Sequence, residues 1–131
     1  MPSNRIVAHW SDGRLTKGST SDFLPTRDVF HVAPADSGPV VAVKVSELKA
    51  VFFVKDFVGD PGHRRRNAFE AGVPVVGRRV RVVFSDGEEI IGTTQAYQPG
   101  RAGFFVVPAD VHGNTDRCFV VVAATREVVL L

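Results

Sequence analysis

Apolar and polar residues alternate with a period of two in two stretches of this chain, and each stretch stops at Ser-Asp-Gly. Val80, Val82 and Phe84 alternate with Arg81 and Val83 before Ser85-Asp86-Gly87, and Ile6, Ala8 and Trp10 do the same before Ser11-Asp12-Gly13. Alternation predicts a strand with a buried face. Asp-Gly at its end predicts a hairpin, because glycine accepts positive φ at little steric cost. A second strand should run from Leu15 through Gly18 to Phe23, and again from Ile90 through Gly92 to about Tyr97. A third covers Val29–Val32 and Gly103–Val107, ended by Pro34 and Pro108. A fourth covers Val40–Val45 and Cys118–Val122. One tight helical turn then fits Ser46–Lys49 and Ala123–Arg126, before a fifth strand at Ala50–Val54 and Val128–Leu131.

The paired readings have a common cause, since Arg5–Asp36 recurs without a gap 74 positions later as Arg79–Asp110. Of the 32 aligned positions 13 are identical, among them Ser11-Asp12-Gly13, Gly18, Thr20 and Pro34-Ala35-Asp36. After a three-residue insertion near Gly113–Asp116, Val40–Val54 lies over Arg117–Leu131. The organisation read from this is a first repeat at 1–55, a linker at 56–77 and a second repeat at 78–131. A unit of about 50 residues without disulfide or metal buries too little surface to offset its chain entropy, so the two copies should pack on each other. A glycine recurring in the middle of both second strands marks a bend or a close backbone approach, which is how a small barrel closes. The fold class expected is all-β, with an internal duplication giving two packed five-stranded barrels.

Composition adds bounds. The 131 residues are 44% hydrophobic, enough to fill one compact core or two small ones. Cys118 is the single cysteine, so no intrachain disulfide forms and a reducing compartment is expected. Met1–Asn4 lacks the basic and apolar parts of a signal peptide, and no apolar run reaches the length of a membrane span. The chain therefore reads as cytoplasmic, without a membrane partner. The net charge of +2 is unevenly placed. Between Lys55 and Arg81 stand seven basic residues against Asp56, Asp60 and Glu70, so positive charge gathers in and beside the linker. Gly59-Asp60-Pro61-Gly62 breaks regular structure there, and Phe69 is the one large apolar anchor of the segment after it, which predicts a mobile loop rather than a docked helix.

Three resemblances attach to particular residues. Asp12-Gly13, Gly18, Thr20 and Phe23, repeated as Asp86-Gly87, Gly92, Thr94 and Tyr97, resemble the first motif of Sm-like proteins, Hfq among them. That resemblance implies small SH3-like or Sm-like barrels. It does not extend to the RNA site of those rings, since the loops in question read Pro25-Thr26-Arg27 or Pro99-Gly100-Arg101, and Ser46–Lys49 or Ala123–Arg126. Gly103-Phe104-Phe105, Pro108-Ala109-Asp110 and Val128–Leu131 resemble an uncharacterised bacterial accessory domain of unknown function, which implies a bacterial protein but transfers no site. His63-Arg64-Arg65-Arg66 ahead of a barrel is similar to the Arg-rich segment of PilZ domains, which bind cyclic di-GMP. The Asp-x-Ser-x-x-Gly element of that family is absent, and Thr94–Pro99 stands in its place.

Candidate chemistry is sparse. His9 and His31 fall on strands one and three of one copy, but their counterparts are Val83 and Phe105, so half-buried packing explains them better than a metal pair. His112 reads as a loop residue. Asp12 and Asp86 are explained by hairpin turns, Asp36 and Asp110 by turns after Pro-Ala, and Cys118 by burial. No nucleophile, phosphate-loop or zinc spacing stands out, so no catalytic residue, metal or cofactor is assigned. The expected function is a non-catalytic recognition or scaffold module for a protein partner. Its most plausible contact surface is the two equivalent loops, Phe23, Pro25 and Arg27 with Tyr97, Pro99 and Arg101; turn formation alone is the competing explanation. The alternative is single-stranded nucleic-acid binding through Arg64, Arg65, Arg66, Arg78, Arg79 and Arg81, with Phe69 or Tyr97 offering a stacking face. Cyclic-dinucleotide sensing is a minor alternative. The oligomeric state is not fixed by the sequence.

Overall fold

The two Asp-Gly hairpins form with the same hydrogen bonds in both copies. In a computed structural model, which describes residues 3–57, 68–69, 76–95, 97–98, 100–110 and 113–131, Gly13 and Gly87 take φ of 96° and 94°. Trp10 N–H donates to the Arg14 carbonyl at 2.9 Å and Phe84 N–H to the Glu88 carbonyl at 2.8 Å. The Asp12 and Asp86 carboxylates each accept the N–H two residues on, at 3.0 Å. Both acids are turn formers.

The described residues are all-β, with strands β1 (Asn4–Trp10), β2 (Leu15–Thr20), β3 (Val29–Pro34), β4 (Val41–Lys44), β5 (Leu48–Val54), β6 (Arg78–Phe84), β7 (Glu89–Thr94), β8 (Gly103–Pro108), β9 (Thr115–Val121) and β10 (Thr125–Leu130). A 3-10 turn precedes each fifth strand, at Val45–Glu47 and Val122–Ala124, one residue earlier than expected. The second strands stop at Thr20 and Thr94, so Phe23 and Tyr97 lie beyond them rather than on them. Gly18 and Gly92 sit where the backbones cross closely. A Cβ on Gly18 would strike the Ala33 carbonyl oxygen and Val32, and one on Gly92 the Val107 carbonyl oxygen and Val106.

The copies do not form two separate sheets. The strands run in one open antiparallel order, β10-β6-β7-β8-β9-β5-β1-β2-β3-β4, joined by β5 against β9. Among the described residues no pairing closes β4 onto β5 or β9 onto β10, so the expectation of two closed five-stranded barrels gives way to a continuous ten-stranded sheet with two cores. The reason is visible in the joining strands, which are apolar on both faces. In β5, Leu48, Val51 and Phe53 enter the first core while Ala50 and Phe52 enter the second; in β9, Phe119 and Val121 enter the first and Cys118 and Val120 the second. Each copy therefore contributes to the other's core. No helix of the described residues is long and apolar enough to cross a membrane.

Gly92→Ala is expected to destabilise the protein by about 2 kcal/mol, because its methyl group would press on the Val107 carbonyl and on the fully buried Val106 side chain. Gly38→Ala, whose Cβ would meet nothing closer than 3.4 Å, should cost less than about 0.5 kcal/mol. Urea unfolding of the two variants against the parent chain measures the difference.

Candidate functional site

The two equivalent loops meet different fates. Phe23 turns inward, where its ring contacts Phe30, Phe53, Phe105 and Phe119 at centroid distances of 5.0 to 6.0 Å. Two of those partners belong to the second copy. Phe23 is thus an element of packing between the copies, worth about a kilocalorie beyond area burial per well-placed ring pair. Tyr97 packs edge-on against Phe104 at 4.8 Å and stays on its own side of the molecule. Arg27 is exposed and donates its backbone N–H to the Leu24 carbonyl at 3.0 Å, which closes a turn. Pro99 lies outside the described residues.

Pro25 and Arg101 do come together. With Thr26, Ala102, Gly103, Phe104, Phe105 and Phe119 they line a cleft of about 400 Å³ between the copies. Its floor depends on Gly103, where a Cβ would meet the Phe119 ring at 2.5 Å. Without that side chain the Phe119 ring reaches Phe105 at 5.2 Å. On the same joining strand, the Arg117 guanidinium lies 4.3 Å from the Phe53 ring centre and 4.7 Å from that of Phe105, a cation on two π faces. Arg101 holds the rim through a 2.8 Å bond from its Nε to Gln98 Oε1. The cleft is therefore apolar below and cationic at its edge, which suits an apolar side chain next to a carboxylate or a carbonyl group.

A charge cluster between the copies was not apparent from the sequence. Lys49 Nζ donates to Asp86 Oδ2 at 2.7 Å and to Glu88 Oε1 at 2.6 Å, and lies 4.7 Å from the Phe84 ring centre. Its side chain is only 13% exposed. Burial pulls the ammonium pKa down, but the hydrogen bonds it donates to Asp86 and Glu88 outweigh this and hold it above the ordinary 10.5. Lys49 in turn, with the Glu88 N–H, holds Asp86 below its ordinary 3.8. The signal that finds such contacts is disagreement between the repeats: Phe119, Phe105, Val121 and Glu88 stand where the first copy has Ala42, His31, Lys44 and Arg14.

The remaining candidates separate. Arg64, Arg65 and Arg66, with His63 and His112, fall outside the described residues, as does most of the linker. Arg78 and Arg79 are exposed at the start of β6, and the Arg79 guanidinium stands 4.6 Å over the Phe69 ring. Arg81 is engaged by Glu89 at 3.1 Å. His9 leans on Phe52 at 4.4 Å, whereas His31 Nδ1 is 2.7 Å from Asp22 Oδ2, so the two histidines have separate partners. Asp22 is held below its usual range first by the His31 backbone N–H and then by the His31 ring. Cys118 is fully buried and in no disulfide.

A family model described as a family of unknown function (DUF6982) matches residues 2–131, and the chain belongs to that family. No curated protein matches the chain, and no solved structure does.

Lys49→Met should lower stability by about 1 to 2 kcal/mol, since it removes the mostly buried cation from which both Asp86 and Glu88 accept. The sign with pH follows from the two shifts. Asp86, depressed when folded, contributes above pH 3.8 and loses its contribution as pH falls through its lower folded pKa; Lys49, raised when folded, contributes fully below 10.5. The gap between parent and variant should be constant across neutral pH and shrink below about pH 3.8. Thermal melts at pH 7 and at about pH 2 check this, and an undiminished gap in acid would show that the contact acts by packing alone.

Proposed function

We propose that this member of the family acts without catalysis, in the cytoplasm of a bacterium, as a recognition or scaffold module for a protein partner. The observation that carries the reading is the cleft between the copies, where Pro25 and Thr26 face Arg101–Phe105 over the Phe119 ring. A concave, mainly apolar site with a few placed polar groups is the usual form of a ligand site, and a side chain of a peptide can fill one. The strand order within each copy, fifth-first-second-third-fourth around its own core, supports reading the halves as units of the SH3-like or Sm-like kind. Tyr97 takes no part in this cleft, and Phe23 supports it from below.

Nucleic-acid binding is the second reading, favoured by Arg78 and Arg79 being exposed together with Arg79 stacked on Phe69. The two differ in salt dependence, because phosphate contacts release counterions and apolar docking does not.

Selection of a displayed peptide library against the full chain, followed by amide NMR, tests the first reading. Selected peptides should shift the resonances of Thr26 and Arg101–Phe105, with affinities that change little between low and moderate salt. Failure to select any binder, together with steeply salt-dependent binding of a labelled single-stranded RNA, would overturn it in favour of the second.

A further inference from the structure

Two strands leave one side unpaired among the described residues: β4, which pairs only with β3, and β10, which pairs only with β6. β10 is the duplicate of β5, and on β5 the corresponding side is filled by β9. We propose that the open edge of β10 docks an extended segment of another protein, added as an antiparallel strand, in which an aromatic residue is followed two positions later by Asp or Glu. This site shares no residue with the cleft of Pro25 and Arg101, and the two stand or fall separately.

The backbone is set for it. Leu131 N–H donates to the Arg79 carbonyl at 2.9 Å, so in the antiparallel alternation Val129 also faces inward and Val128 and Leu130 turn their N–H and C=O groups to the open side. Their counterparts Val51 and Phe53 are opposite Phe119 and Arg117, and Lys55 N–H continues that ladder to the Asn114 carbonyl at 2.9 Å. An aromatic residue opposite Val128 would occupy the place that Phe119 holds in the first copy.

The side chains are set for it as well. A cavity of about 380 Å³ opens beside Tyr97 and Leu130, bounded by Val76, Gly77, Arg78 and Thr94. Tyr97 and Leu130 are the counterparts of Phe23 and Phe53, the rings that Phe105, Phe119 and Arg117 cover in the first copy. Val76 and Leu131 are exposed near it, at 70% and 62%. Arg126 is the counterpart of Lys49 and is exposed, at the irregularity between Thr125 and Glu127 just before Val128, where an acidic residue two positions past the aromatic one on the incoming strand would come near it.

A second copy of this chain does not fit the edge. Its edge strand β4, in the register of β5 with β9, would put Ala42 in the place of Phe119, His31 in that of Phe105, and the cation of Lys44 in the place of Val121, near Arg126. Arg14 would stand where Glu88 receives Lys49. The duplication keeps the docking geometry, removes the aromatic knob and reverses the charge, which opposes head-to-tail growth.

The test uses the strand that already fills the equivalent edge. The full chain is titrated with an acetylated peptide of the Thr115–Val121 sequence carrying Cys118→Ser and Val121→Glu, and followed by amide NMR. Resonances of Arg126–Leu131 and Tyr97 should shift. Phe119→Ala in the peptide, or Arg126→Glu in the protein, should weaken binding at least about tenfold. Arg126→Glu alters an exposed residue, and an unchanged unfolding midpoint confirms that its fold is intact. Shifts confined to Thr26 and Arg101–Phe105, or an affinity indifferent to both substitutions, would overturn the proposal. So would concentration-dependent growth in sedimentation that Arg126→Glu alters, which would give the edge to a second copy.

Discussion

Val51 lies opposite Phe119 and Phe52 opposite Cys118, and this single ladder joins two units of about 50 residues each into one sheet with two cores. Everything else depends on it. A sheet edge buried between two cores must satisfy its backbone groups within the sheet and present apolar residues on both faces, and β5 and β9 do both. Phe105 and Phe119 close the first core from the second copy, Phe52 and Ala50 close the second from the first, and Val7 joins them. The cleft with its Pro25 and Arg101 walls exists only because that ladder brings the third-strand loops of the two copies side by side.

The duplication is symmetric in backbone and asymmetric in side chains. Hairpins, mid-strand glycines and 3-10 turns repeat almost bond for bond, since each is fixed by local steric rules that both copies inherit. The contact between copies uses one unit's fifth strand and the other's fourth, so the same two strands remain unpaired at the ends of the sheet. Selection on these unlike positions is the simplest physical account of why Phe119 faces Ala42 in the alignment and Glu88 faces Arg14. Phe119 and Glu88 work at the joint between the copies, whereas Ala42 lies on the edge strand β4 and Arg14 in the exposed turn between β1 and β2.

What was legible in the sequence was what is local. The Asp-Gly turns, the strands flanking them, the close approach at Gly18 and Gly92 and the burial of Cys118 all follow from nearest-neighbour chemistry and periodicity. The joining of β5 to β9 did not follow, because strand pairing is a long-range choice that a period of two leaves open. Phe23 looked like a loop contact for the same reason: its four ring partners come from four different strands. Lys49 stands in a polar interruption of the pattern, and its acidic partners lie 37 and 39 residues away. The long-range contacts leave one trace in the sequence, the aligned positions at which a large apolar residue in one copy is matched by a small or charged residue in the other.

The most direct test of the joint is equilibrium unfolding in urea, followed at once by far-UV circular dichroism and by the fluorescence of the single tryptophan, Trp10. Trp10 reports on the first copy, where its Nε1 donates to Thr16 Oγ1 at 2.9 Å, whereas circular dichroism reports on the strands of both. If β5 and β9 bind the copies into one cooperative unit, the two curves superimpose on a single transition. A biphasic dichroism curve, with Trp10 following only one of its steps, would contradict the account by showing that each copy holds its fold without the other.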